Sequence, residues 1–488
     1  MAQGTRDSTG VGERTRLLID GDWVEPLSGK YFDTVNPTTG DVLAQVAEAG
    51  VADVDSAVKA ARAAFEEGPW SRMHPADRGH LLFRLAQLVQ DNARQLAEID
   101  AADAGKPVTN SLRVDIPAAV DSFEYYAGWA DKIHGETVPV RGEIFTYLLR
   151  QPVGVVGQII PWNFPLMMAA WKLAPALACG CTVILKPAEQ SPLSALRLGE
   201  LCLEAGIPAG VVNIVTGFGE TGAALVEHPE VDKIAFTGSP EVGRIILRAS
   251  AGTLKKVSLE LGGKSPNIIL ADAEMESAVR GASGGIFFNQ GEVCSAGSRI
   301  LVEQSVYEPF LERLAQRAGT IRVGDPLKDE TYMGPVVSEE QFNRVMGYID
   351  IGKDEGARLV AGGARIGERG FFVEPTIFAD VDNRMRIAQE EIFGPVASVI
   401  PVESPDEAVR IANQTNYGLA AAVWTRDVGK AHALAHRLRA GTVWVNTYGA
   451  TDTRSPWGGF KDSGFGRELG RQAIDLYTEY KAVWVALK

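Results

Sequence analysis

Cys294, in the run Asn289-Gln290-Gly291-Glu292-Val293-Cys294-Ser295-Ala296-Gly297, is the residue whose setting offers the most chemistry. A glycine-containing turn after a helical pattern, with small residues around it, presents a sulfur to backbone N–H groups, where a thiol becomes a nucleophile and not an inert core cysteine. Acyl transfer through such a thiol needs two further parts, a donor for the oxyanion and a base for water. Asn163, in Pro161-Trp162-Asn163-Phe164-Pro165, has the carboxamide for the first, and the flanking prolines restrict its backbone. Glu260, in Leu259-Glu260-Leu261-Gly262-Gly263-Lys264, has the carboxylate for the second. A glutamate between two leucines just before Gly-Gly is poorly placed to be only a solvated strand-end acid.

Two further stretches suit a dinucleotide. The strand pattern at 233–236 runs into Thr237-Gly238-Ser239, and Pro240 then opens a helix, so free N–H groups at that helix start suit a pyrophosphate. An ordinary capped turn reads the same way. Lys186 and Glu189 follow the strand pattern at 182–185, where a carboxylate accepts both ribose hydroxyls and repels a 2′-phosphate, favouring NAD over NADP. Gly217-Phe218-Gly219-Glu220-Thr221-Gly222 is a literal G-x-G-x-x-G after the strand pattern at 211–215. Gly281-Ala282-Ser283-Gly284-Gly285 matches a nucleophile elbow but sits inside an amphipathic helix, which argues against a serine hydrolase. His432 and His436 have a zinc-like spacing without the accompanying glutamate or a third ligand, so they are read as surface histidines and no metal site is expected.

The elements that must position these residues are written in texture. Short β-branched runs at 155–160, 182–185, 211–215, 233–236 and 267–270 alternate with helical segments, which predicts a parallel α/β sheet. After a helix over 273–288 the alternation resumes from 299 to 441, predicting a second α/β unit. Two helices fit 54–102, and residues 1–16 lack an apolar face, as in a flexible tail. The β-prone segments 135–151 and 476–488 suit pairing into an appendage that joins subunits.

Composition narrows the classes. With 45% hydrophobic and 23% charged residues the bulk is not disordered, and a net charge of −14 with no basic patch speaks against nucleic acid and anionic membrane partners. Four cysteines in 488 residues make no disulfide framework, which suits the cytoplasm. No apolar run approaches the ~20 residues a bilayer span needs.

Taken together, the segments around Asn163, Lys186, Ser239, Glu260 and Cys294 resemble those of the NAD(P)-dependent aldehyde dehydrogenase superfamily, as do Glu391-Ile392-Phe393-Gly394-Pro395 and the closing stretch 456–470. The likeness runs from about residue 17 to 488. It implies a Rossmann-like cofactor domain (17–130 and 152–262), an α/β catalytic domain (263–461) and a β oligomerisation arm (131–151 and 472–488) in a homodimer or homotetramer. It implies a Cys294 thiohemiacetal held by Asn163 and the Cys294 N–H, hydride transfer to NAD, and release of the acid by water that Glu260 activates. Lys172 and Glu468 relay the proton. The cofactor residues it implies are Ile159, Pro161, Trp162, Lys186, Glu189, Gly219, Gly238, Ser239, Val242, Leu261, Glu391 and Phe393, with the pyrophosphate at Ser239 and Gly219 near the adenine.

For the aldehyde the pocket is expected to hold Phe164, Trp171, Phe288, Ser295, Arg454 and Trp457. Trp457 and Val293-Cys294-Ser295 are similar to the betaine-aldehyde and aminoaldehyde branch, whose substrates suit an aromatic cage. Arg454 would favour a carboxylate-bearing semialdehyde, and a plain apolar tunnel would suit aliphatic or aromatic aldehydes. Glu292, where glutamine is frequent, is expected to point away from the thiol. Retention of Glu260 opposes a CoA-acylating enzyme, and retention of Cys294, Glu260 and Asn163 opposes a catalytically silent structural relative.

Overall fold

The computed structural model describes residues 14–487. Most of the expected tail lies outside the described residues, but 14–16 are fastened: the Thr15 N–H bonds the Gln45 carbonyl and Arg16 pairs with Glu25.

The first sheet has eight strands in the order Gly464–Phe465, Lys256–Leu261, Lys233–Gly238, Val155–Ile159, Thr182–Lys186, Val212–Ile214, Leu17–Ile19 and Asp22–Val24. Its five central strands are parallel, and the outer pairings are antiparallel. Period-2 alternation divides two cores between its faces. Val155, Ile184 and Ile234 pack with the helix Val51–Glu66 through Val54, Val58 and Ala61. Val156, Val183 and Leu185 point the other way, toward the helices Pro165–Cys179 and Leu193–Ala205. Strands covered on both faces account for the near-continuous apolar runs.

The second sheet runs Arg358–Ala361, Thr376–Ala379, Val396–Val402, Arg299–Glu303, Pro266–Ile269, Ala420–Trp424 and Thr442–Val445, parallel except at its first strand. The two far-apart β-prone segments do pair: Thr478–Ala486 lies antiparallel to Ile144–Pro152, with Glu136–Val138 beyond it. This small sheet leaves Phe145, Tyr480, Trp484 and Val485 exposed. No helix among the described residues is long and apolar enough to cross a membrane.

Candidate active site

A cavity of about 840 Å³ is lined both by the strand ends of the first sheet and by the turn that carries Cys294. The helix Met275–Phe287 stops there, and Asn289, Gln290 and Gly291 take three successive left-handed conformations, with φ of 48°, 57° and 72°. Two of these are not glycine, a strain that persists only where the surroundings over-determine it. They do so here. The Asn289 side chain donates to the Asn163 carbonyl at 3.1 Å, Gln290 Oε1 accepts from the Gly334 N–H, and Glu292 Oε1 accepts from the Val337 N–H. Gly291 has no freedom to change, since a Cβ would lie 2.2 Å from the Gly394 carbonyl oxygen.

Asn163 Nδ2 donates to the Glu292 carbonyl at 2.8 Å, so the carboxamide lies against the nucleophile turn. The Glu292 carboxyl turns onto the Val337 N–H. Cys294 keeps partial exposure as a residue, yet the protein packs closely enough about its sulfur to push the thiol up to about 12. Desolvation is the main cause, with the charges of Glu391 and Glu260 adding to it, while the backbone N–H groups of Ser295 and Cys294 pull the other way.

Glu260 is the next-to-last residue of the strand Lys256–Leu261, and neither carboxyl oxygen has a hydrogen-bond partner among the described residues. Burial raises its pKa well above the carboxylate range, and neighbouring Glu468 raises it further against the pull of Lys172 and Arg467. Lys172 and Glu468 form a buried ion pair. Glu468 and Trp457 bond each other's backbones, so the same bridge sets one wall of the cavity and the carboxylate beside Glu260.

Beyond the sulfur the cavity is apolar. Phe164, Met167, Met168 and Trp171 line it from one stripe, spaced as one face of a helix, and Phe288, Val293, Trp457, Tyr448 and Thr451 face them. Phe164 stacks on Phe288 at 6.4 Å, and Trp171 meets Trp457 edge-on at 6.2 Å. Met167, Met168 and Tyr448 were not among the expected pocket residues. The helical spacing from Phe164 carries the signal for the two methionines. Tyr448 had none: its ring sits where a Cβ on Gly285 or Gly297 would come within 3 Å, and its hydroxyl donates to the Ser295 carbonyl at 2.7 Å.

Arg454 requires a correction. It does not line the cavity; its side chain is 61% exposed and pairs with Asp121 and Asp452, because the loop turns it outward. Lys172 lies behind the wall and reaches the cavity only through Glu468.

The cofactor candidates fall into two groups. Pro161, Trp162, Gly238, Ser239, Leu261, Glu391 and Phe393 line the cavity, as Ser295 does on its far side. The Trp162 and Phe393 rings meet edge-on at 5.2 Å, and Glu391 Oε1 accepts from the Gly263 N–H, its pKa pushed up to about 7 by burial. Ile159, Lys186, Glu189, Gly219 and Val242 lie outside the cavity, around the ends of neighbouring strands. A Cβ on Gly222 would reach only Lys186 and Ile159, and one on Gly219 would meet nothing within 4 Å, which leaves an open shelf there. Lys186 donates to Glu189 at 3.5 Å, and Ser239 Oγ caps the helix Pro240–Ser250 by accepting from the Val242 N–H. Ser283 of the elbow-like motif is buried mid-helix, and His432 and His436 are exposed on the helix Val428–Arg437.

The sequence model of the aldehyde dehydrogenase family matches residues 23–483, and the chain belongs to that family. It is 53% identical over 473 residues to the human mitochondrial aldehyde dehydrogenase, covering 96% of this chain and 92% of that one. Human retinal dehydrogenase 2 is 50% identical over 476 residues, covering 97% and 92%. Among solved structures, the NAD+ complex of an aldehyde dehydrogenase from Bacillus cereus superposes with a TM-score of 0.96 at 52% identity, over 98% of this chain and 97% of that one.

Proposed function

We propose that the protein oxidises a neutral, apolar aldehyde to its carboxylic acid with NAD, through an acyl group carried on Cys294. The observation that carries this reading is the convergence, in one cavity, of a partly covered thiol, a carboxamide against its turn, and an unpartnered buried carboxylate.

The strand ends suit a dinucleotide. Glu189 and Lys186 present hydrogen-bonding groups to a ribose beside the bare surface at Gly219, and the capped start of Pro240–Ser250 offers N–H groups to the pyrophosphate. Trp162, Leu261, Glu391 and Phe393 line the same cavity as that helix start and the thiol. NAD, when bound, supplies the hydride acceptor, and the relative solved with NAD+ agrees with this choice. The Glu189 carboxylate disfavours a 2′-phosphate.

The chain's own groups do the rest. The Cys294 thiolate forms the C–S bond, and the carbonyl oxygen gains the charge that Asn163 Nδ2 and the Cys294 N–H are placed to hold. That requires Asn163 to exchange its bond to the Glu292 carbonyl for one to the substrate. Once the carbon is at the acid oxidation level, Glu260 removes a proton from water and the hydroxyl adds to the thioester. The C–S bond then breaks, returning the thiolate and releasing the acid. The Lys172–Glu468 pair accepts the proton from Glu260 and returns the carboxylate to its basic form.

The apolar half decides the substrate class. Its walls are rings and methionines, Arg454 is tied down outside, and one face of Phe164 is already covered by Lys106. Phe164 stacks on Phe288 and Trp171 meets Trp457 edge-on, surfaces that suit a neutral, apolar chain. The name of the retinal relative fits the same reading. The exposed aromatics of the small sheet support assembly into a homo-oligomer through that arm. The test is kcat/KM with NAD across hexanal, phenylacetaldehyde, betaine aldehyde and succinic semialdehyde. The neutral pair is expected to lead; a lead for either charged aldehyde contradicts the substrate class, and turnover that requires CoA contradicts hydrolytic release.

A further inference from the structure

A buried ion pair, Lys106 with Asp115, lies next to Asn163 and takes no part in the chemistry above. Both side chains are 1% exposed or less, and neither residue lines the cavity. Lys106 is set by its neighbours: Gly105 ends the helix Ala93–Ala104 in the left-handed conformation, and Pro107 follows. Asp115 closes a single π-helical turn, Ser111–Asp115, ahead of the helix Ile116–Trp129. Such turns are rare and mark functional sites more often than ordinary helix does.

An ammonium has three donors. Besides the Asp115 carboxylate, Lys106 Nζ meets the Asn163 carbonyl oxygen at 3.4 Å and the face of the Phe164 ring, 3.5 Å from its centroid. Two of its three partners are thus the oxygen of the peptide between Asn163 and Phe164 and the side chain that follows it. The Asn163 oxygen also takes the Asn289 side chain from the nucleophile turn, and Asn163 Nδ2 reaches the Glu292 carbonyl in the same turn. One continuous network therefore links Lys106, the oxyanion donor and the loop that carries Cys294. Fold stability is a poor account of it, because buried ion pairs are weak stabilisers and well-packed apolar groups replace them at little cost. Rotation of the peptide after Asn163 would break the contacts with Lys106 and Asn289 together.

We propose that Lys106, held by Asp115, is a positioning residue for the oxyanion donor, clamping the peptide after Asn163 so that its carboxamide meets the carbonyl oxygen of the aldehyde. This rests on the role given above to Asn163.

The experiment uses the full-length protein and three readouts. They are aldehyde oxidation, hydrolysis of an activated ester at Cys294 without cofactor, and alkylation of Cys294 by iodoacetamide, a displacement that develops no oxyanion. Lys106→Met is expected to lower the first two by about tenfold or more, since small misplacements of a catalytic group have effects of up to ~100-fold. Alkylation should stay within about twofold, and the KM for NAD should not move. Asp115→Asn should act in the same direction and less strongly, and it decides the matter with the same readouts if Lys106→Met does not fold. In an Asn163→Ala background neither change should cost anything further. Parallel loss of alkylation, or losses that multiply those of Asn163→Ala, would overturn the inference alone. Full activity in Asn163→Ala itself would remove the reading beneath it, and the inference with it.

Discussion

Between Phe287 and Cys294 the chain takes three left-handed residues in a row, held by side chains that reach two other segments, at Asn163 and at Gly334 to Val337. Between the strand Lys233–Gly238 and the helix Pro240–Ser250 it makes an ordinary turn, closed by one serine hydroxyl. The first region must hold a sulfur and an amide to within fractions of an ångström, and it is buried and fixed from several directions. The second binds through backbone N–H groups that any well-capped helix start exposes, so regular structure suffices. Reactive geometry demands local exception; cofactor binding is served by local regularity.

That contrast can be broken experimentally. The largest effect is expected for Cys294→Ala, which should abolish oxidation while leaving NAD binding, read by fluorescence titration, unchanged. Next comes Asn163→Ala, for which loss of one oxyanion donor predicts a fall of ~10²–10³ in kcat. In pH dependence, the thiol of Cys294 lies at about 12 and the pKa of Glu260 is raised by burial, while both act in their deprotonated forms. Alkylation of Cys294 without cofactor should therefore keep rising with pH well into the alkaline range; a plateau near neutrality would show that the thiolate is stabilised. On the shelf, Glu189→Gln should shift the ratio of kcat/KM for NAD over NADP toward NADP by a modest factor with little change in kcat for NAD. The smallest effect belongs to Arg454→Ala, which should leave the preference among aldehydes unchanged because the side chain pairs with Asp121 and Asp452.

The same contrast explains what was legible in the sequence. The parallel strands and capped turns follow from β-branched runs and from Ser-Pro at a helix start, so Lys186 and Glu189 on the shelf and Ser239 at the cavity were readable from local pattern. The strand Leu17–Ile19 gave no comparable signal in three residues, and it owes its place to the long-range pairing of Leu18 with Ile214. In the site, the motifs marked Cys294, Glu260 and Asn163, but the way they are held was not written locally. The bonds of Gln290 to Gly334 and of Glu292 to Val337 join residues more than 40 positions apart. Tyr448 enters the pocket because two distant glycines make room for its ring. Arg454 shows the converse limit: charge and proximity to Trp457 placed it near the pocket, while the direction of its side chain depended on Asp121, 333 residues away.

The account turns on Cys294 carrying an acyl group that Glu260 releases. The direct test is rapid mixing of Glu260→Gln with NAD and hexanal, followed by intact-protein mass spectrometry. The account predicts a burst of about one NADH per active site, slow turnover afterwards, and a hexanoyl adduct on a peptide containing Cys294. Wild-type steady-state turnover with no adduct on Cys294 would contradict it.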